Sequence, residues 1–235
     1  MIKLSKRLEE IVKLIPKGNT VADIGTDHAL IACYIAKENI SPKVIAADLN
    51  EGPLKFAQEQ VKAYLVEDKV TARLGDGLSV LSPGEVDTVI IAGMGGSTMR
   101  TILEEKPEVV KSLKHMILQP HVGAEALRRW ASENGWKIVE EQLVEEEGFY
   151  YEIMSLEQGK MEIDDDILYF LGPKLVETKH PLLIPSLDSL LESEKGILSQ
   201  LANSTNIKAK ERADNIKNKW QNVKRVLGWP AELKM

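Results

Sequence analysis

Between residues 20 and about 135, short apolar runs alternate with stretches of helical length, and this rhythm leaves the chain few folds to choose from. Residues 20–24, 44–48, 70–74, 88–92 and 115–119 are rich in Val, Ile and Leu. Between them lie segments of helical length at 29–39, 53–66, 97–103 and 125–134. Strands alternating with helices imply βαβ units, and hence a parallel sheet with helices on both faces. The unbroken apolarity of Val89, Ile90 and Ile91 fits a central strand buried on both sides. Residues 136–146 and 150–156 break the rhythm, because both read as strands and only Glu147, Gly148 and Phe149 separate them. That gap is too short for a crossover helix, so the pair is expected to be antiparallel and to end the sheet. The expected fold is α/β, a doubly wound Rossmann-like sheet with an antiparallel last strand.

After Leu156 the composition changes. Gln158, Gly159 and Lys160 read as a linker, and Asp164, Asp165 and Asp166 as the cap of a helix start. Two helical stretches follow Pro173, Pro181 and Pro185. Leu187, Leu191, Leu198 and Leu201 share a stripe in the first, interrupted by Glu194. Ala213, Ile216, Trp220, Val223 and Leu227 repeat at alternating spacings of three and four in the second. Residues 203–205 supply the turn of a helical, coiled-coil-like hairpin. Two domains are therefore expected, 1–158 for the α/β body and 159–235 for the helical hairpin. Charge divides along similar lines. Residues 195–235 hold nine Lys or Arg against three Asp or Glu, whereas residues 1–194 hold 21 basic and 33 acidic side chains. A basic tail on an acidic body suits a polyanionic partner.

The single cysteine, Cys33, leaves no intrachain disulfide and no cysteine cage for zinc. No apolar run reaches the ~18 residues that cross a bilayer, and the N-terminal stretch carries charges where a signal peptide would be apolar. A soluble cytoplasmic protein without a metal or a membrane partner, monomeric or weakly oligomeric, is expected.

In open α/β sheets, ligands bind beyond the carboxyl ends of the strands. Each such end here carries small or acidic residues: Asp23, Gly25, Asp27 and His28 after the first strand, Asp48 and Leu49 after the second, Asp76 and Gly77 after the third, Gly93 and Met94 after the fourth. Gly25 allows a tight turn and close approach of a ligand. Asp48 follows 23 residues later, where a carboxylate typically accepts from ribose hydroxyls. Asp76 is then placed to accept from an adenine amino group. The first turn lacks the G-x-G-x-x-G needed to seat a pyrophosphate, and Asp23 and Asp27 would repel phosphate. S-adenosylmethionine, with ribose, adenine and positive charge but no phosphate, fits this pattern. A parallel sheet closed by an antiparallel hairpin also suits a class I methyltransferase better than a nicotinamide-binding domain.

The runs VADIGTDHA, AADLNEGPL, RLGDGL, IIAGMGG and LQP, in this order, resemble the bacterial tRNA (adenine-22-N1)-methyltransferase family, as do EEEGFYYE and GPKL further on. The resemblance covers essentially the whole chain. It implies methyl transfer from S-adenosylmethionine to N1 of an adenine in tRNA. The cofactor pocket would use Asp23, Gly25, Asp27, His28, Asp48 and Leu49, with Asp76 and Gly77 at the adenine ring and Gly93 and Met94 at the reacting end. Two positions depart from the family pattern. Leu30 stands where a tyrosine suited to stacking on the target base is usual, and His121 stands where asparagine often follows LQP. Both changes bear on the substrate and leave the cofactor assignment intact.

Adenine N1 has its own lone pair, so no covalent enzyme intermediate is needed. Asp27 is the candidate for removing an N6 proton, and His28 for catalytic or pocket-shaping work. Lys208, Lys210, Arg212, Lys217, Lys219, Lys224 and Arg225 are the candidates for gripping RNA phosphates. The alternatives are a methyltransferase acting on another substrate, and a catalytically impaired homologue that binds cofactor or RNA without turnover.

Overall fold

Val21, Ala22, Val44, Ile45, Val89, Ile90, Met116 and Ile117 are wholly excluded from solvent, and they lie on adjacent strands of one sheet. The structure is a computed structural model describing residues 2–26, 28–202 and 206–228. Its strands are β1 (Val21–Ile24), β2 (Val44–Asp48), β3 (Val70–Leu74), β4 (Thr88–Gly95), β5 (His115–Val122), β6 (Trp136–Glu146) and β7 (Phe149–Gln158). They run in the order β3-β2-β1-β4-β5-β7-β6. β1 to β5 are parallel, and β7 is antiparallel to both β5 and β6. The five parallel strands and the closing antiparallel hairpin match the sequence expectation. The hairpin loop is one residue shorter than expected, because Glu146 pairs with Phe149 and only Glu147 and Gly148 turn the chain. Both have positive φ, 53° and 81°, as a twist-matched two-residue turn requires.

Helices α1 (Lys6–Lys13), α2 (Leu30–Lys37), α3 (Glu51–Ala63), α4 (Gly96–Glu105), α5 (Pro107–Ser112) and α6 (Ala124–Glu133) cover the sheet. Alternate strand residues serve opposite faces. Ala22, Ile24, Val89, Ile91, Met116 and Leu118 pack with Met99 and Leu103 of α4 and Leu127 and Trp130 of α6. Val21, Val44, Ile90 and Ile117 pack with Ile11 of α1, Ile35 of α2 and Val61 of α3. Burial on both faces explains why β1, β2 and β4 read as continuous apolar runs rather than alternating ones. α1 is capped by Ser5, whose hydroxyl accepts from Leu8 N, and its Ile11 and Val12 face the core.

Chain contacts divide the protein into two compact units, Met1–Glu162 and Ile163–Met235. The first unit runs a few residues past β7, where the Met161 carbonyl accepts from Ser132 Oγ. The second holds α7 (Ile167–Leu171), α8 (Pro173–Glu177), α9 (Leu183–Leu201) and α10 (Ile207–Leu227). Leu187 and Leu191 of α9 and Ile216, Trp220 and Val223 of α10 are buried, whereas Leu198 and Leu201 are only half-buried. Glu194, which breaks the leucine stripe, accepts from Trp220 Nε1 at 2.6 Å and pairs with Lys219 Nζ at 2.6 Å. The break in the pattern is therefore a polar clasp between the two helices. At the start of α7 it is Asp165, not the N-cap Asp166, whose carboxylate accepts from Ile167 N, and Asp165 also pairs with Arg225. The expected turn at residues 203–205 lies outside the described residues.

A buried ion pair lies inside the first unit. Arg128 of α6 is 1% exposed, donates from Nε to Glu141 Oε1 of β6 at 2.6 Å, and also pairs with Glu152 of β7. Removing one partner of a buried ion pair strands the other, a loss of about 3–5 kcal/mol. Arg128→Ala should lower stability by that order in denaturant titration, and adding Glu141→Leu should recover part of the loss.

Candidate functional site

The strand order reverses between β1 and β4: the chain passes from β1 to β2 and β3 on one side, then returns to β4 and β5 on the other. At such a switch point the loops leaving the two central strands diverge and leave a crevice. A cleft of about 1040 Å³ opens there. Every cofactor-site residue expected from sequence and described in the structure lines it: Asp23, Gly25, His28, Asp48, Leu49, Asp76, Gly77, Gly93 and Met94, joined by Leu30 and His121. Asp27 lies outside the described residues.

The backbone of each turn explains its residue. Gly25 has φ +73°, and both Gly25 N and Thr26 N donate to the Ala47 carbonyl, at 2.8 and 2.9 Å. A Cβ at Gly25 would lie 2.1 Å from Met94 Cε, so the turn after β1 and the exit of β4 meet across a space with no room for a side chain. β4 and β5 slip register between Ala92 and Met94, and Gly93, with φ +76°, sits at that irregularity. Bulges of this kind re-aim side chains next to functional sites, and here β4 runs on to Gly95 rather than ending at Ala92. The His28 ring stands edge-on to Phe56 of α3, with centroids 4.6 Å apart.

The acceptors are poised for hydroxyl and amino groups. Asp48 is buried, and its Oδ1 accepts from Asn50 N at 2.8 Å, while Oδ2 has no protein donor among the described residues. Asp76 is exposed at the start of the 3-10 turn Gly77–Val80, and its carboxylate likewise has no protein donor among them. Asp23 is buried beneath the first turn, and burial raises its pKa to about 6. The Thr26 hydroxyl, donating to Asp23 Oδ2 at 2.5 Å, opposes that rise, and the charge of Asp48 adds to it.

Sequence reasoning missed a second group at the β4–β5 end. Arg7 of α1 donates from Nη1 to Gln119 Oε1 at 2.5 Å, and its guanidinium lies 5.2 Å from the centre of the Tyr151 ring. Arg7 N donates to Glu146 Oε2 at 2.8 Å, which ties α1 to the end of β6. His121 stands beside Tyr151, with ring centroids 5.9 Å apart. These residues come from α1, β5, β6 and β7, so no local motif could announce them.

The basic candidates all fall in the second unit. Lys208, Lys210, Arg212 and Lys224 are exposed and Lys217 half-buried, and none of the five pairs with a carboxylate among the described residues. Lys219 is committed to Glu194 and sits 4.8 Å from the Phe170 ring centre, and Arg225 is paired with Asp165 at 2.7 Å. Charge runs on a helix do not reveal which cations are already neutralised from a neighbouring element. No helix among the described residues is long and apolar enough to cross a membrane, and no metal-binding cluster occurs among them.

Residues 4–154 match the family described as a methyltransferase domain. The chain is 32% identical over 229 residues to the tRNA (adenine(22)-N(1))-methyltransferase of Bacillus subtilis, covering 92% of this chain and 94% of that protein. Among solved structures, the crystal structure of the B. subtilis m1A22 tRNA methyltransferase TrmK superposes with a TM-score of 0.88 at 29% identity, over 97% of this chain and all of that one. The M. capricolum TrmK, solved with the cofactor product S-adenosylhomocysteine, superposes with a TM-score of 0.83 at 27% identity, over 95% and 99% of the two chains. With these likenesses extending across both units, the chain belongs to the bacterial tRNA (adenine-22-N1)-methyltransferase family.

Proposed function

We propose that this protein transfers a methyl group from S-adenosylmethionine to N1 of the adenine at position 22 of tRNA. The observation that carries the reading is the convergence of the strand-end residues on one cleft, in a chain belonging to this family. The cleft suits the cofactor: Asp48 and Asp76 keep acceptor capacity without a protein donor among the described residues, and the positive-φ glycines Gly25, Gly77 and Gly93 leave parts of its wall free of side chains. Asp48 Oδ2 is available for ribose hydroxyls and Asp76 for the adenine amino group. Bound there, S-adenosylmethionine supplies an electrophilic methyl on a positively charged sulfur.

The protein's own work is positioning and electrostatics. Asp23 provides a counter-charge beneath the first turn. Gly93 and Met94 hold the reacting end, and Leu30 and His121 line the same cleft where a target base would enter. Alkylation at N1 moves positive charge onto the base, so the acidic lining favours the system before and after transfer. The target adenine is extruded from the RNA to reach the cleft, at a cost of a few kcal/mol. The domain ending near residue 158 carries the chemistry, and the helical domain beyond it grips tRNA phosphates through its exposed lysines and arginine.

Incubation with labelled S-adenosylmethionine and unmodified bulk tRNA should yield 1-methyladenosine, and Asp48→Ala should reduce the yield at least tenfold at limiting cofactor. Label-free RNA despite measurable cofactor binding would instead mark an impaired homologue or another substrate. Cofactor affinity should also depend on pH. Asp23 titrates near 6 in the free protein, and a cationic ligand favours its ionised form. Affinity for S-adenosylmethionine should therefore rise from pH 5 to 7 and then level, with no such rise in Asp23→Asn, as read by calorimetric titration. The stability sign is opposite. The folded chain holds this proton to higher pH than the unfolded one, so the Asp23 contribution to stability declines as pH climbs from about 4 through 6. For the second domain, changing Lys208, Lys210, Arg212 and Lys224 together to Gln should weaken tRNA binding and flatten its log–log salt slope by about 3 to 4. Cofactor affinity should be unchanged in that variant.

A further inference from the structure

The exit of β3 differs from the other exits that border the cleft. β1, β2, β4 and β5 each lead within a few residues into a helix of two turns or more, α2, α3, α4 and α6 respectively. β3 leads only into the 3-10 turn Gly77–Val80, and residues 75–87 return the chain to the start of β4 with no other helix. Only Leu78 of that turn is buried. So short a turn packs little surface against the sheet, yet Asp76 at its start must be held to a defined place if its carboxylate is to meet one atom of a ligand.

A brace for this turn lies outside the cleft. Arg73, near the end of β3, donates from Nη1 to the Val80 carbonyl at 2.7 Å and to Glu85 Oε2 at 2.9 Å, and from Nη2 to Glu85 Oε1 at 2.5 Å. Glu85 Oε2 also accepts from Ser82 N at 3.2 Å. One planar fork therefore ties the end of β3 to the far side of the turn and to the returning chain, fixing direction as well as distance. The hydrogen bond from Arg73 holds the Glu85 carboxyl down to about 2, so the pair is charged throughout the neutral range. Contacts inside the turn carry this constraint to Asp76. Ser79 N and Oγ donate to the Asp76 carbonyl at 2.9 and 2.5 Å, and a Cβ on Gly75 would lie 2.5 Å from Val80 Cγ1. Val80 cannot shift without moving the residues on either side of Asp76. Gly75, Asp76 and Gly77 line the cleft, whereas Arg73, Val80 and Glu85 stand behind them.

We propose that Arg73 and Glu85 are positioning residues of the cofactor site: their fork sets the turn that presents Asp76, and thereby the preference of the site for an adenine amino group. The inference rests on the reading of Asp76 as the acceptor for that group. It gives an ion pair that touches no ligand a part in choosing one.

The test compares S-adenosylhomocysteine with S-inosylhomocysteine, which carries an oxygen in place of the amino group, by calorimetric titration of the full-length protein. Wild type should prefer the adenosyl ligand by about 10- to 100-fold, the range for one hydrogen bond to a charged acceptor. Arg73→Ala should lower that preference by about tenfold, as misalignment of that bond would. Its inosyl affinity should hold within about threefold, since a half-exposed ion pair contributes little by itself. Glu85→Gln, the milder change, should lower the preference in the same direction and serves if Arg73→Ala fails to fold. Asp76→Ala should abolish the preference, and adding Arg73→Ala to it should lower the preference no further, because both changes remove one contact. Equal losses for both ligands in the Arg73 and Glu85 variants would make the pair a general tie of the fold and overturn the proposal. Unchanged affinities for both ligands in those variants would overturn it too. A preference that survives Asp76→Ala, or is missing in wild type, would overturn the reading of Asp76 and this proposal together, an outcome distinct from the other two.

Discussion

The site depends on one constraint: parallel strands buried on both faces must send all their carboxyl ends to the same edge of the sheet. Because the chain places β1 beside β4 and winds away on either side, the exits of β3, β2, β1, β4 and β5 form a row along that edge. The cleft opens in this row at the central pair, where the chain leaves β1 and β4 in opposite directions. Core packing on the two faces holds the row rigid. The cleft-lining residues are thereby positioned by strands, and only short turns need the special backbone that glycine allows.

Charge inside the cleft follows from the same geometry. Parallel strand exits bring carboxylates from separate segments into one enclosure. Burial at the end of β1 raises the cost of ionising Asp23, and the nearby charge of Asp48 adds to it. The acidic field selects a cationic ligand and disfavours phosphate, which separates this cleft from a dinucleotide site built on a similar sheet. It also makes Arg7 conspicuous. It is the one lysine or arginine among the described residues that line the cleft, and it is held there by Gln119 and Tyr151.

Much of this was legible from the chain alone, for a physical reason. The strands are buried on both faces, so their apolar runs are continuous, and the turns that follow carry cleft-lining residues within a few positions of the strand ends. The placement of Asp48 and Asp76 on the cleft could therefore be read locally. What was not legible is long-range. Arg7 belongs to an amphipathic helix in which it resembles any solvated basic residue, and its partners Gln119 and Tyr151 lie over one hundred positions away in sequence. Lys219 and Arg225 read as free cations because Glu194 and Asp165 reach them from other helices. The irregularity that carries β4 on to Gly95 is set by its pairing with β5, which single-strand patterning does not encode.

The central claim is that this cleft delivers a methyl group to one adenine of a folded tRNA. The most direct measurement is single-turnover methyl transfer to two transcripts of one tRNA that differ only in having adenine or guanine at position 22, with products identified by mass spectrometry. The account predicts 1-methyladenosine at position 22 of the first transcript and no transfer to the second. Comparable transfer to both, or transfer to neither while S-adenosylmethionine binds tightly, would contradict it.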